Sequence, residues 1–224
     1  MPDAQGLVTL EDVQNDATVI AYLEMGNAYL GTLGYTEHGL RHANLTAHIA
    51  GNVMRRLGFS DREAELASIA GFMHDIGNCI SREFHGVSAA LLAKDVLGKH
   101  GIQPTELAVV MNALGNHEEE IGTPATPVGA AVIIADKADV HHTRVRAEPV
   151  EFDIHDRVNY AAKRSFVRVD TDARLITLEV DIDTGESQVM EYFEIFLSRM
   201  QICRKAADVL QATFSLVING TRLL

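Results

Sequence analysis

The sequence predicts a mainly α-helical protein that carries a small α+β appendage at its C-terminal end. Apolar residues recur every three to four positions through the first two-thirds of the chain, as they do in amphipathic helices. Runs with the pattern of strands occur after about residue 150. With 47% hydrophobic and 22% charged residues among 224, the chain can bury a large core. We therefore expect a helical domain over 1–150 and an α+β unit over 151–224.

Local signals bound the helical segments. Apolar periodicity predicts helices over 16–33, 42–57, 86–99, about 104–116 and 126–142. A further helix starts at Ser60, because Ser60 and Glu63 have the spacing of a capping box. It runs into the pair His74-Asp75 and ends near Gly77, a residue type that interrupts helices. These boundaries place His74 and Asp75 at the end of an apolar helix.

The C-terminal third has the pattern of strands. β-rich runs over about 165–170 and 174–182 are separated by the turn-forming sequence Thr-Asp-Ala, and a third run covers 213–220. A helix is expected between the second and third runs, over 188–211. Apolar residues alternate along the second run, so one face of it must be buried. The sequence thus predicts an antiparallel sheet with one helix packed on it.

The charge balance limits the partners that the protein can have. Nineteen Lys and Arg against thirty-one Asp and Glu give a formal charge of −12, which would repel a long nucleic-acid polymer. A small phosphorylated substrate is still allowed, because metal ions can supply local positive charge. No apolar run approaches the ~20 residues of a membrane helix, and the N-terminal stretch lacks a secretory signal. We therefore expect a soluble cytoplasmic protein without membrane contacts.

Histidines and aspartates at three places in the helical part suggest a metal site. His42 is expected to face inward with the apolar stripe of its helix, Leu45, Ile49, Val53 and Leu57. Asp136 lies where an apolar helix would bury it, and a buried carboxylate must be paired or bind a metal. Together with His74 and Asp75, these residues form a mixed nitrogen and oxygen set suited to iron, manganese, nickel or zinc rather than calcium. The alternative is a helix end with a favourable imidazole beside a solvated aspartate.

The order His42, His74-Asp75, Asp136 resembles the H…HD…D pattern of the HD-domain phosphohydrolases, over about residues 25–145. The resemblance implies an HD-domain helical bundle that hydrolyses phosphate esters or anhydrides with a metal-activated water. His85 and His117 fall where some branches hold a second ion, including bacterial symmetrical dinucleoside tetraphosphate hydrolases and HD-GYP phosphodiesterases. By this resemblance, one ion is held by His42, His74, Asp75 and Asp136. The other shares Asp75 and adds His85 and His117.

Two departures from the HD-GYP branch argue against a cyclic di-GMP activity. That branch carries a lysine after HDIG, where this chain has Asn78, and its Gly-Tyr-Pro sequence is absent here. The position before His117, often a second histidine in such proteins, is Asn116. Asn78 is assigned to substrate binding instead.

Several further residues complete the predicted site. His38 lies one helical turn before His42, a spacing that resembles eukaryotic cyclic-nucleotide phosphodiesterases, in which the earlier histidine protonates the leaving oxygen. We therefore assign His38 to catalysis with Asp75 and Lys137. Arg144 and Arg146 are candidates for binding substrate phosphate, since the guanidinium group suits a bidentate grip. The alternatives are a surface histidine and a basic helix end in an acidic protein.

The leading hypothesis is a metal-dependent phosphohydrolase that cleaves a small nucleotide-like substrate with one or two divalent transition-metal ions. Iron or manganese is favoured over nickel or zinc. An iron oxygenase on the same scaffold would use similar ligands. A metal-binding regulatory module without turnover is the alternative from another class. The sequence leaves a homodimer open.

Overall fold

A computed structural model of the chain describes residues 7–146 and 152–224. The helical part consists of α1 (Leu10–Gln14), α2 (Ala17–Thr32), α3 (Leu40–Arg56), α4 (Asp61–Met73), α5 (His85–Lys99), α6 (Pro104–Gly115), α7 (Pro127–Lys137) and α8 (Ile154–Ala161). Short 3₁₀ helices, Ile76–Cys79 and His142–Arg144, follow α4 and α7. The remainder forms β1 (Ala162–Asp170), β2 (Leu175–Ile182), α9 (Val189–Val209), β3 (Thr213–Ile218) and β4 (Thr221–Arg222). The predicted mainly α fold with a β appendage is confirmed.

Capping signals set the helix starts as the sequence predicted. Ser60 Oγ accepts a hydrogen bond from Glu63 N, while the Glu63 carboxylate accepts one from Ser60 N at 3.0 Å.

Helix α7 ends at Lys137, five residues earlier than expected, and Ala138 is its C-cap. Across the described ranges, no helix combines the length and apolar character that a bilayer crossing requires.

The buried face of α3 differs from the predicted stripe. Val53 and Leu57 are buried as predicted, but Leu45 and Ile49 are only half-buried. Thr46 and Ala47 are fully buried against α4 instead. A Cβ atom on Gly71 would lie 3.0 Å from the Ala47 Cα, so the two helices cross at close range. The prediction followed the large apolar residues, but small residues allow two helices to pack most closely and therefore form this contact. The tight crossing places His42 next to the end of α4.

The C-terminal sheet is mixed, not antiparallel as predicted. Its strand order is β1-β2-β3-β4, with β1 and β4 antiparallel to their neighbours and β2 parallel to β3. Helix α9 carries the chain back from the end of β2 to the start of β3, and such a crossover joins parallel strands. The positions predicted to be buried on the second strand, Ile176, Leu178 and Val180, are buried.

Helix α9 connects the appendage to the helical part. It contacts both β3 and α7, the helix that carries Asp136. Its buried side includes Tyr192, Phe196 and Met200, which belong to the same continuous hydrophobic core as the residues of α3 and α4. The appendage therefore packs directly behind the helix that supplies one of the predicted metal ligands.

We expect Gly77→Ala to destabilise the protein because the first 3₁₀ helix lies directly on α5. A Cβ atom at Gly77 would overlap the His85 carbonyl oxygen and lie 2.6 Å from Ala89 N, both backbone atoms that cannot rotate away. Overpacking of this kind costs about 1–3 kcal/mol or more. The measurement is the free energy of unfolding by urea.

Gly98→Ala is the matched control, because Gly98 is an exposed helical glycine in α5 with nothing near its Cβ position. This change should be neutral or stabilise the protein by up to about 1 kcal/mol. Equal stability of the two variants would contradict the close approach at Gly77.

Candidate metal centre

Four predicted ligands meet at the junction of α3, α4 and α7. His42 lies in the first turn of α3, His74 is the C-cap of α4, Asp75 follows it, and Asp136 is in the last turn of α7. His42 Nε2 lies 3.1 Å from His74 Nε2 and 3.3 Å from Asp136 Oδ1. His74 Nε2 lies 3.3 Å from Asp75 Oδ2. The two imidazoles and two carboxylates thus converge on one small volume, and both histidines are fully buried.

A second group of ligand atoms adjoins the first through Asp75. Asp75 Oδ1 lies 3.3 Å from Nε2 of His85, the first residue of α5. His85 Nε2 in turn lies 3.0 Å from Nε2 of His117, which is in the segment after α6. Ligand atoms of His74, Asp75 and His117 lie within 4.8 Å of one another. Asp75 therefore directs one oxygen toward each group.

Hydrogen bonds to Nδ1 fix the tautomers of the four histidines. Each Nδ1 has an oxygen partner: Asp139 Oδ2 at 2.7 Å for His42, Gly71 O at 2.8 Å for His74, Arg82 O at 3.0 Å for His85, and Leu114 O at 2.7 Å for His117. Since carbonyl and carboxylate oxygens only accept hydrogen bonds, Nδ1 carries the proton in each neutral ring. All four Nε2 atoms then present a lone pair to the centre.

This arrangement fits divalent metal ions. Two pairs of Nε2 lone pairs face each other at 3.1 and 3.0 Å, an unfavourable contact unless a cation lies between them. The buried Asp75 Oδ2 has no hydrogen-bond partner among the described residues. Ligands about 2.0–2.2 Å from one ion lie roughly 3–3.5 Å apart, as these atoms do. The donor set suits iron, manganese, nickel or zinc, and HD domains bind divalent metals.

The charges of the pocket also favour a cation. Burial opposes protonation of His74, but the carboxylates of Asp75 and Asp136 raise the pKa of His74 to about 10. Burial and the neighbouring His85 and His74 lower the pKa of His117 to about 3, so this ring stays neutral and can act as a ligand. The carboxylates thus create a site that takes up positive charge, and a metal ion would replace the proton held there.

Asp139 supports His42 from behind and was missed in the sequence. Besides accepting from His42 Nδ1, its carboxylate pairs with Arg41 at 2.8 Å, and its backbone oxygen accepts from Arg144 at 2.7 Å. A carboxylate on the distal nitrogen orients a histidine ligand and increases its basicity. The available signal was the position of Asp139, one helical turn after Asp136.

Two of the predicted catalytic residues, His38 and Lys137, lie at the site, and their surroundings differ. His38 is half-buried and lines the cavity above the ligands, with Nδ1 2.7 Å from Thr36 O. Burial and the charge of Arg144 lower the pKa of His38 well below 6.5, so the ring is neutral at pH 7. Lys137 is buried, and its Nζ lies 2.5 Å from both Asp136 Oδ2 and Glu119 Oε2. Lys137 therefore holds two carboxylates in place.

The predicted substrate-binding residues lie mostly beneath or beside the site. Asn78 is buried and donates from Nδ2 to Asp75 Oδ1 at 2.8 Å, which orients that carboxylate. Arg144 is buried, and its Nε, NH1 and NH2 groups all donate to the backbone oxygens of Glu37 and Asp139. Arg146 is exposed and contacts Asn27 Oδ1. The contacts of Asn78 and Arg144 are those of residues that position other groups.

The ligands lie below a large cleft. A cavity of about 40 Å³, lined by Asp75, His85 and Asp136, adjoins an open cleft of about 800 Å³. We call the residues that line both spaces the neck: His38, Arg82, Glu118, Glu119, Glu120 and Arg199. Neither the two arginines nor the three glutamates of the neck were identified from the sequence. Arg199 lies on α9, and nothing in its local sequence indicates that it reaches the site.

We predict that the two ligand groups can be separated by mutation. Asp75→Ala should abolish binding of both ions, because Asp75 offers one oxygen to each group. His85→Ala should leave one ion, held by His42, His74 and Asp136. Metal analysis after reconstitution with Mn²⁺ measures the stoichiometry, and full metal content in the His85→Ala protein would contradict the assignment.

We also expect Asp139→Asn to weaken metal binding by about 10–100-fold, because it removes the charged partner of His42 Nδ1. Arg41→Gln is the matched control: it breaks the pair with Asp139 from the exposed side and leaves the contact to His42. Titration with Mn²⁺ measures both affinities. Equal losses in the two variants would show that the ion pair, not the contact to His42, matters.

Known proteins with similar sequences include an uncharacterized protein and ribonucleases. An uncharacterized protein of Methanocaldococcus jannaschii is 26% identical over 208 residues, which cover 81% of this chain and 79% of that protein. Ribonuclease Y of Aquifex aeolicus is 34% identical over 131 residues, and ribonuclease Y of Bacillus pumilus is 30% identical over 117 residues. These matches cover 58% and 52% of this chain but only 22% and 21% of the ribonucleases.

The family comparison agrees with the geometry. Residues 36–144 match the HD domain family. The matched segment runs from the loop before α3 to the second 3₁₀ helix and contains every ligand of both groups. Residues 36–144 are therefore an HD domain, the type of domain that the order of its histidines and aspartates predicted.

Proposed function

We propose that this protein is a metal-dependent phosphohydrolase that cleaves an ester or anhydride bond of a small, nucleotide-like phosphate compound. The observation that carries the proposal is the pair of ligand groups sharing Asp75 at a small cavity that adjoins a cleft of about 800 Å³. When bound, two divalent ions would supply an activated water and positive charge for the phosphoryl oxygens. A cleft of this size matches a nucleotide rather than a bare phosphate ion.

Side chains of the protein would bind the ions, transfer a proton and position the metal ligands. His42, His74, His85, His117, Asp75 and Asp136 hold the ions. His38 lies in the neck with Nδ1 bound to the Thr36 carbonyl, so its Nε2 is the atom available to exchange a proton with substrate or water. Lys137 forms ion pairs with Asp136 Oδ2 and Glu119 Oε2, so these two oxygens would not bind the ions. Asn78 orients Asp75 through the oxygen that faces His85.

The charge of the cleft favours a short substrate. Glu83, Glu120 and Asp153 line the outer cleft, and all three are exposed. A long polyanion that ran along these walls would meet repulsion at each of them, whereas a small compound meets the ions first. The proposed substrate is therefore a small phosphate compound.

The ribonuclease Y relatives favour a second candidate, hydrolysis of RNA. Their similarity covers about half of this chain and about a fifth of each ribonuclease. Under this alternative, the end of an RNA strand would enter the cleft. The two candidates differ in the length of substrate that they accept, so one set of assays separates them.

We expect the Mn²⁺-loaded protein to hydrolyse small nucleotides faster than oligoribonucleotides, and chelation should abolish turnover. His38→Asn should lower kcat by about 10²–10⁴-fold with unchanged metal content, because it removes a proton-transfer group and no ligand. His48→Asn is the matched control, since His48 is an exposed histidine of α3. Phosphate release and metal analysis are the measurements.

Other outcomes would contradict the proposal in distinct ways. Preferential cleavage of oligoribonucleotides would favour the ribonuclease. Oxygen consumption by the iron-loaded protein without phosphate release would favour an oxygenase on the same scaffold. Absence of turnover with every metal and substrate would favour a metal-binding regulatory module.

A further inference from the structure

The inner cavity is lined by more basic side chains than it has metal-binding carboxylates, Asp75 and Asp136. Of the described residues that line it, four are basic: Arg82, Lys137, Arg144 and Arg199. Lys137 is neutralised by Asp136 and Glu119, both at 2.5 Å. Arg144 makes three hydrogen bonds to backbone oxygens, one from each of its guanidinium nitrogens. Among these four side chains, Arg82 and Arg199 make the fewest hydrogen bonds, one each, and have the most donors left for a ligand.

Both remaining arginines are only lightly bonded within the described chain. Arg82 makes one side-chain hydrogen bond, from NH1 to His85 Nε2 at 3.4 Å. That nitrogen is a predicted metal ligand, and its lone pair cannot serve an ion and Arg82 together. Arg199 makes one, from Nε to Glu119 Oε1 at 3.3 Å, so both of its terminal nitrogens are without partners among the described residues.

Both guanidinium groups lie near an aromatic ring. The Arg82 Cζ lies 5.4 Å from the centre of the Tyr35 ring, and the Arg199 Cζ lies 4.4 Å from that of Phe196. Such cation–π contacts are favourable and leave the guanidinium N–H groups available to donate. Phe196 is buried, so the ring beside Arg199 is part of the core.

The surrounding charge explains why the neck needs two such groups. Glu118, Glu119 and Glu120 line the same constriction as the arginines. Without Arg82 and Arg199, a phosphate approaching the ions would pass three carboxylates. An arginine can donate two parallel hydrogen bonds to phosphate oxygens, which a point charge such as lysine cannot.

We propose that Arg82 and Arg199 form a two-arginine clamp that binds the oxygens of the substrate phosphoryl group not taken by the metal ions. The clamp rests on the proposed function, since it concerns the same site. It draws one arginine from the loop before α5 and the other from α9, so the C-terminal appendage supplies part of the substrate site. It also moves the phosphate-binding role from Arg144 and Arg146 to these two residues.

Binding of inorganic phosphate to the Mn²⁺-loaded full-length protein tests the clamp without requiring turnover. Arg82→Gln and Arg199→Gln should each weaken phosphate binding by about tenfold or more in calorimetry, as expected for loss of charged hydrogen bonds. Metal content should not change, because neither residue is a ligand. Arg168→Gln is the matched control: Arg168 is an exposed arginine of β1, paired with Glu179 and outside the cleft.

The lysine variants keep the test decisive if a glutamine variant does not fold. Arg82→Lys and Arg199→Lys retain the charge but lose the planar fork, and they should weaken phosphate binding severalfold. Phosphate affinity within twofold of wild type in both glutamine or both lysine variants, with metal bound, would overturn the clamp. So would a metal-loaded wild-type protein that binds no phosphate at millimolar concentration. Weakened phosphate binding in a protein that turns over no substrate would support the clamp and refute the phosphohydrolase.

Discussion

The arrangement around Asp75 is the constraint on which the rest of the structure depends. Its buried carboxylate and the Nε2 atoms of His42, His74, His85 and His117 face one interior volume. Burial of a carboxylate charge and of Nε2 lone pairs that face one another costs free energy. A cation bound at that point offsets this cost. The hydrogen bonds that fix each Nδ1 proton leave the Nε2 atoms to take up the cation, which is a proton on His74 in the metal-free protein. The arrangement of these side chains therefore favours binding of an ion over the stability of the ion-free protein.

Helix ends and small residues make this convergence sterically possible. His74 and Asp75 are adjacent in sequence, and both reach the centre because the chain leaves α4 there and tightens into a 3₁₀ helix. Gly77 lets that turn lie against the first turn of α5, so His85 comes within 3.3 Å of Asp75. Gly71 and Ala47 let α3 and α4 cross closely enough to bring His42 beside His74. The positions of His42 and His85 thus depend on small residues at these two contacts.

Local patterns in the sequence predicted those parts of the fold that local physics controls. The capping box at Ser60 and the alternation in β2 needed no tertiary information, and both were confirmed. The predicted stripe of α3 was correct at Val53 and Leu57 but wrong at Leu45 and Ile49, because large apolar residues give the stronger periodic signal while small residues make the closer contact. The parallel pairing of β2 and β3 depends on where α9 returns the chain. The roles of Asp139 and Arg199 depend on contacts across 97 and 80 residues of sequence, which no local pattern encodes.

The position of α9 gives a physical reason for joining an appendage to this helical domain. Helix α7 carries Asp136 in its last turn and is buried along nearly its whole length, so one side must be covered by another element. Helix α9 covers it, and the sheet covers α9 in turn through β3. The same helix that completes the core then projects Arg199 toward Glu119, which also pairs with Lys137 beside Asp136. Packing and charge are coupled at this point, because a shift of α9 would move a guanidinium and a ligand-bearing helix together.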